Sequence, residues 1–152
     1  MNETGDCRRY PKHPLVGIGV VVLKPDSVLL VRRGHPPSQG AWSLPGGAQK
    51  LGETAEEAAR RELFEETGLK VGKLVFTSYV DSIHRDASGA VEYHYTILDF
   101  AALWQGGEPV PASDITALAW INDSEFAAIG LWSEARRVIS LARKIDFTAL
   151  SL

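Results

Sequence analysis

The residue types best suited to chemistry lie in residues 47–69, which read GAQKLGETAEEAARRELFEETGL. A helix is favoured here, because Thr54 can cap its start and alanines and leucines follow. Gly68 is typical of a helix end. At 100° per residue, carboxylates and small side chains fall on one common face. This face consists of Ala55, Ala58, Ala59, Glu62, Glu66 and Leu69, with Glu65 at its edge.

The coincidence of acids and alanines predicts that this helix face is turned inward. Small side chains let a helix approach the protein body closely, whereas a solvated charged face more often carries lysines four residues from its acids. Clustered carboxylates would repel one another there unless a cation lay among them. Oxygen ligands favour hard divalent cations, so we expect Mg²⁺, with Mn²⁺ as a substitute. The alternative is an acidic helix whose charges serve solubility alone.

The same segment resembles the Nudix box over its whole length. Gly47 is followed after five residues by Glu53, and after seven more by the run RELFEETGL, which starts at Arg61. The flanking WSLPGG also resembles the family. The resemblance implies a Nudix-type α/β/α sandwich and a metal-dependent hydrolase that cleaves pyrophosphate bonds. Clustered carboxylates with Mg²⁺ suit such a substrate, because the metal and the phosphate oxygens neutralise one another.

The resemblance also implies roles for single residues. Glu62, Glu65 and Glu66 are expected to hold metal, and one of the first two is expected to serve as the general base. A backbone carbonyl of the glycine pair, which we assign to Gly46, is expected to complete the coordination. Its neighbour Gly47 has no side chain and therefore lets the backbone come close to a ligand.

Two further residues of the box are expected to hold the metal ligands in place without binding the metal themselves. Arg61 can pair with Glu65 one helical turn later, and Glu53 can steady either the arginine or the glycine loop.

Residues before the box are candidates for binding substrate. Arg32 and Arg33 end a strand-like segment, and a guanidinium offers paired donors to phosphate oxygens. The alternative for both is a solvated strand end. Trp42 can stack on a base or pack beneath the glycine loop. His35 is more typical of an ordinary loop histidine.

Many Nudix proteins recruit one further acid from outside the box, and three residues are candidates here. Asp114 ranks first, because it lies where a glycine-rich loop turns into a strand and can reach across to the helix. Glu92 and Glu108 are the others, and a solvated acid is the alternative for each. His94 is expected at a strand surface, without a catalytic role.

The elements that position these residues form a mixed β-sheet with a helix on each face, an α/β (α+β) fold. Strand segments alternate or concentrate β-branched and aromatic residues, and the last helix has apolar residues at helical spacing. The run RRGHPPSQGAW predicts an irregular loop near the site. The predicted strands are 15–23, 28–33, 73–81, 91–104 and 115–121, and the last helix includes residues 131–142.

Composition indicates one globular domain over residues 1–152, with residues 1–13 as a loosely ordered arm. The net charge of −3 gives no reason to expect duplex nucleic acid as a partner. Cys7 is the single cysteine, which excludes an internal disulfide and favours a reducing compartment. No apolar run reaches the length of a membrane span, so we expect a cytoplasmic protein. A homodimer remains open.

The substrate is less sharply defined than the chemistry. The run from RRGHPP to WSLPGG is most similar to bacterial ADP-ribose pyrophosphatases, which favours ADP-ribose or a related nucleotide sugar. A nucleoside triphosphate pyrophosphohydrolase is the alternative within the family. Some Nudix domains bind nucleotide ligands without cleaving them, but such sensors tend to lose box carboxylates, all of which are present here.

Overall fold

The computed structural model describes residues 8–149, so Cys7 and the first half of the expected N-terminal arm lie outside the described residues. The predicted mixed sheet with a helix on each face is confirmed. No helix of the described part is long and apolar enough to cross a membrane. The elements are β1 Leu15–Leu23, β2 Ser27–Arg33, β3 Trp42–Ser43, β4 Gly46–Ala48, α1 Ala55–Thr67, β5 Val75–Arg85, β6 Val91–Leu103, β7 Ile115–Asn122 and α2 Ser133–Arg143.

Strand β1 is the centre of the sheet, whose main order is β3-β2-β1-β6-β5. It runs parallel to β6 along its whole length and antiparallel to the short β4, with Gly19 opposite Gly46. Its antiparallel register with β2 is confined to Leu23 and Val28, and β2 continues alongside β7 and β3. The glycines of β4 therefore lie directly beside the middle of the sheet.

Alternation along β1 divides the core between the two faces. Ile18, Val20 and Val22 face α1, whereas Val21 and Leu23 face α2. Because successive side chains of a strand point to opposite faces, a strand buried on both sides is apolar throughout. The α2 face is completed by Val138, Ile139 and Ala142, and the α1 face by Ala58, Ala59 and Leu63.

Helix α1 begins and ends where its sequence predicts. The Thr54 hydroxyl accepts a hydrogen bond from Glu57 N at 3.0 Å, and the Glu57 carboxylate accepts one from Thr54 N at 2.8 Å, which forms a capping box. At the other end, Gly68 adopts the left-handed conformation with φ 76° and donates to Phe64 O. Ala58 and Ala59 are fully buried, as the inward face requires.

The structure adds two short strands that sequence patterns did not predict. β3 and β4 lie within or beside the glycine- and proline-rich run, and their hydrogen-bond partners belong to the distant β2 and β1. Tertiary pairing, not local propensity, makes them strands. β5 also extends beyond its predicted end to Arg85, and the turn that follows is closed by Asp86, which accepts from Ser88 N and Ala90 N.

We expect Thr54→Ala to lower the free energy of unfolding by about 1 kcal/mol, because the helix start loses the oxygen that accepts from Glu57 N. Urea denaturation followed by circular dichroism measures this change. Thr54→Ser keeps the hydroxyl and serves as the control, with a loss of no more than a few tenths of a kcal/mol. Equal stability of Thr54→Ala and the parent would show that α1 does not depend on this cap.

Candidate active site

A cavity of about 670 Å³ lies where β1, β4, α1 and the loop after β2 meet. Its lining includes seven of the eleven residues to which the sequence assigns a site role, from segments far apart in the chain. Those residues are Arg33, Trp42, Gly46, Gly47, Glu62, Glu66 and Asp114. The other four, Arg32, Glu53, Arg61 and Glu65, lie around the cavity but are not part of its lining.

Glu62 and Glu66 lie one helical turn apart on α1 and face β4. Glu66 is only 7% exposed, and its carboxylate accepts a hydrogen bond from Gly46 N at 3.0 Å. Glu62 lies against Gly47 so closely that a Cβ atom on this glycine would overlap the carboxylate. The glycine pair is therefore required for close approach: any side chain at residue 47 would displace Glu62.

The surroundings of both carboxyl groups disfavour their ionised form. Burial raises the pKa of Glu66 to about 8; the Gly46 N–H opposes this shift, and the charges of Glu62 and Asp114 add to it. Burial also raises the pKa of Glu62, against the opposing charge of Arg61. Near neutral pH this pair therefore retains a proton unless a cation replaces it, which is the electrostatic setting of a metal or acid–base site.

Arg61 connects the helix to the glycine-rich segment. Its guanidinium donates to Glu53 at 2.5 and 2.9 Å and to the backbone carbonyl of Ala48 at 3.0 Å. Its remaining terminal nitrogen donates to Glu62 and Glu65, each at 3.2 Å. Hydrogen bonding from Arg61 lowers the pKa of Glu53 to about 2, so this pair stays charged. One planar donor group thus fixes the helix, its acidic face and β4 relative to each other.

Glu65 differs from the other two glutamates of the predicted metal set. Its side chain is 45% exposed and is directed to Arg61, outside the cavity lining. Within residues 8–149, no three His, Cys, Asp or Glu side chains converge as a complete metal site. Two carboxylates beside a glycine backbone nevertheless fit Mg²⁺, because this ion commonly keeps several waters and binds through one or two carboxylates plus substrate phosphates.

The two arginines at the end of β2 have different surroundings. Arg33 lines the cavity, where its Nε donates to the carbonyl of Pro37 at 2.9 Å. Arg32 is exposed, and its guanidinium lies over the Trp42 ring, 5.0 Å from the centroid. Trp42 itself lines the cavity. A phosphate-binding role therefore fits Arg33, while Arg32 is placed to support the indole.

Asp114 is the one candidate acid from outside the box that lines the cavity. Its carboxylate contacts Nε2 of His35, which also lines the cavity. The segment before it is attached to the end of α1, because Val110 N donates to Thr67 O at 2.9 Å and Ala112 N to Glu66 O at 3.1 Å. Asp114 is therefore already held beside the helix. Of the other candidates, Glu92 pairs with Arg9 and Glu108 is exposed.

Sequence reasoning gave no site role to several titratable residues of this cavity, among them His35 and Asp99. His35 has no local pattern that distinguishes it from other loop histidines, because its partner Asp114 lies in a distant loop, directly before β7. Asp99 does have one: it interrupts the otherwise uncharged run YTILDFAAL and is 3% exposed in the structure. An acid in such a strand is rare without a partner or a function, which makes its position a signal that could have been used.

We expect Glu66→Gln to stabilise the metal-free protein above pH 7 and to remove a pH dependence of stability. The folded-state pKa of about 8 lies above the ordinary glutamate value of 4.5, so the parent's contribution from Glu66 is fully present below pH 4.5 and is lost as the pH rises through 8. Urea denaturation at pH 5, 6, 7, 8 and 9 in the presence of a chelator measures it. Glu56→Gln, which removes an exposed carboxylate from the same helix, is the control. A parallel loss of stability with pH in parent and Glu66→Gln would contradict the desolvation argument.

Comparison with proteins of known sequence gives relatives whose names refer to different substrates. The chain is 42% identical over 98 residues to an ADP-ribose pyrophosphatase of Methanocaldococcus jannaschii, an alignment that covers 62% of the chain and 57% of that protein's length. It is 36% identical over 127 residues to a putative 8-oxo-dGTP diphosphatase 2 of Mycobacterium tuberculosis, which covers 81% of the chain and 84% of that protein.

Solved structures have the same fold. A MutT NUDIX hydrolase from Burkholderia pseudomallei superposes with a TM-score of 0.74 and 28% identity, covering 86% of this chain and 98% of that chain. The NUDIX domain of Shewanella oneidensis NrtR, solved with ADP ribose, superposes with a TM-score of 0.72 and 24% identity, covering 88% of each chain. The family model of the NUDIX domain matches residues 13–142. By its box, its fold and this match, the chain belongs to the Nudix hydrolase family.

Proposed function

We propose that this protein is a divalent-metal-dependent pyrophosphohydrolase that cleaves the diphosphate bond of ADP-ribose or a related nucleotide sugar. The observation that carries the proposal is the meeting of Glu62, Glu66 and the glycines of β4 with Arg33 in one cavity. Two desolvated carboxylates favour a cation, and a cation together with a guanidinium favours a diphosphate. The relative named ADP-ribose pyrophosphatase supports this choice of substrate.

Each residue of the cavity has a role that follows from its position. Glu62, Glu66 and the Gly46 carbonyl would hold Mg²⁺, or Mn²⁺ in its place, and Arg33 would bind a phosphate oxygen. When bound, the metal supplies charge neutralisation for the diphosphate and a lowered pKa for water. Arg61 and Glu53 would fix the position of α1 relative to β4, since Arg61 bonds both to Glu53 and to the backbone of β4.

Proton transfer, and any metal ligand beyond Glu62, Glu66 and Gly46, would involve residues at the rim of the cavity. Asp114 would accept the proton of the attacking water, and His35 would orient its carboxylate, because the two side chains are already in contact. Glu62 is the second candidate for this base. Glu65 would join the ligands, or act as base, only after its side chain leaves Arg61, since it points away from the cavity in this structure.

A nucleoside triphosphate is the second candidate substrate. The supporting observation is the similarity to a relative named 8-oxo-dGTP diphosphatase, an alignment that covers 84% of that protein. The same carboxylates and arginine would serve either substrate, because both offer a bridged pair of phosphates.

We expect hydrolysis of ADP-ribose to AMP and ribose 5-phosphate in the presence of Mg²⁺ or Mn²⁺, and complete loss of turnover in excess chelator. The reason is that the carboxylates of α1 act through a cation. Product analysis over ADP-ribose, nucleotide sugars and nucleoside triphosphates measures this. Release of pyrophosphate and a nucleoside monophosphate from triphosphates alone would favour the second candidate. Turnover that survives the chelator would refute the metal requirement, and tight binding of these compounds without cleavage would indicate a sensor.

We expect Asp114→Asn to lower kcat by roughly tenfold to a thousandfold, in the range of a general base, with little change in KM. Glu92→Gln and Glu108→Gln are the matched controls, since each removes one carboxylate outside the cavity lining. Rates at saturating substrate and metal measure the effect. An unchanged kcat in Asp114→Asn beside a large loss in either control would move the role to that residue.

A further inference from the structure

Asp99 lies in the middle of β6, beside Gly19 of β1. It is 3% exposed and lines the cavity on the side of the sheet that α2 covers. Within residues 8–149 no group donates a hydrogen bond to its carboxyl group, and the carboxyl oxygens are accessible from the cavity. The proposed phosphate chemistry uses α1 and the rim, so it gives Asp99 no role.

An unpaired carboxyl group at this depth is costly, and the fold makes room for it. Burial raises the pKa of Asp99 to about 7, against the opposing charge of Arg137, so the protonated form persists near neutral pH. A Cβ atom at Gly19 would overlap the carboxyl group. The neighbouring strand thus leaves a recess that the Asp99 carboxyl fills on the cavity floor.

The surroundings of Asp99 fit a flat ring with a polar edge. The indoles of Trp42 and Trp132 line the same cavity, together with the small or apolar side chains of Val80 and Ala135. Aromatic faces and aliphatic walls bind planar heterocycles by stacking and burial, whereas a single buried polar group selects among them by hydrogen bonding. Asp99 is the buried ionisable group of this part of the cavity, where Ser82 is also buried and where the Ser43 hydroxyl finds no hydrogen-bond partner within residues 8–149.

The charged and titratable groups on the elements around Asp99 do not neutralise it. From α2, Arg137 pairs with Glu134 and donates to the carbonyl of Tyr79, so it reaches Asp99 only through its field. From β5, His84 stacks edge-on against Tyr93 and lines the cavity, as does the acid Asp81. Arg33 and Arg8 line it too, and Tyr95 lies on β6 itself. Within residues 8–149 no side chain pairs with Asp99, so its carboxyl group is open to a ligand in the cavity.

We propose that Asp99 recognises the base of the nucleotide, with its protonated carboxyl group donating to N1 of an adenine ring and accepting from the 6-amino group. This inference rests on the proposed function, because it assumes that the phosphates lie against Glu62 and Glu66. A protonated carboxyl offers one donor and one acceptor side by side, which matches the adenine edge. Guanine presents two adjacent donors, N1–H and the 2-amino group, and would need the ionised form.

Binding of AMP, GMP and ribose 5-phosphate to the chain of residues 1–152 tests the proposal without requiring catalysis. Isothermal titration calorimetry with Mg²⁺ present gives the Kd for the parent, Asp99→Asn and Asp99→Ala. We expect Asp99→Ala to weaken AMP binding at least tenfold and ribose 5-phosphate binding less than twofold. Asp99→Asn should keep AMP binding within about threefold, because the amide also offers one donor and one acceptor.

The pH dependence of AMP binding is a second measurement that tests the proposal. AMP binding by the parent should weaken roughly tenfold between pH 7 and 8.5, since the protonated fraction of Asp99 falls as the pH rises through about 7. Asp99→Asn should lose this dependence. Asp26→Asn removes an exposed carboxylate from the turn between β1 and β2, outside the cavity lining, and should behave as the parent does.

Three results would overturn the inference. The first is AMP binding by Asp99→Ala as tight as that of the parent. The second is an equal loss for AMP and ribose 5-phosphate, which would place the effect on the sugar phosphate or on the fold. The third is a parent that binds GMP and not AMP. Because AMP binding is measured separately, failure of ADP-ribose hydrolysis would refute the proposed function and leave this test intact.

Discussion

The close approach of α1 to β4 is the constraint on which the rest of the site depends. Glu62 and Glu66 can lie against the backbone of this strand only because Gly46 and Gly47 have no side chains, and only because Ala58 and Ala59 let the helix come near the sheet. Arg61 then fixes the distance by bonding to the helix acids and to the strand at once. The result is a pair of buried carboxyl groups with too little water and too few hydrogen-bond donors to stabilise their negative charge. Binding of a cation would supply that stabilisation.

The acidic helix was predictable in detail because its determinants are local. The cap at Thr54, the stop at Gly68 and the coincidence of acids with alanines are all read within one segment. The main strands were predictable for a similar reason, since a two-sided apolar run or an alternating one needs no knowledge of the partner strand. β3 and β4 were not, because their strand character comes from distant partners.

The geometry around the helix shows where sequence reasoning ends. Spacing alone placed Glu65 with Glu62 and Glu66 as an acid of the same face, but one helical step moves it to the solvent edge, where Arg61 holds it. The contact between His35 and Asp114 joins two loops and has no sequence signal. Asp99 could have been singled out as an acid in an apolar strand, but its place in the cavity depends on the register of β6 with β1. Periodicity predicts which face a side chain occupies, and it does not predict what lies opposite.

The parallel pairing of β1 with β6 also has a consequence for how the chain acquires its shape. Leu15 lies opposite Tyr95, and α1 and β5 intervene in the chain between these partners. Such non-local pairing requires closure of a long loop before any contact is gained, which slows the search for the native arrangement. During synthesis the first strand, apolar on both faces, leaves the ribosome well before the strand that shields its edge. The central strand β1 therefore remains exposed to wrong association until β6 has been made.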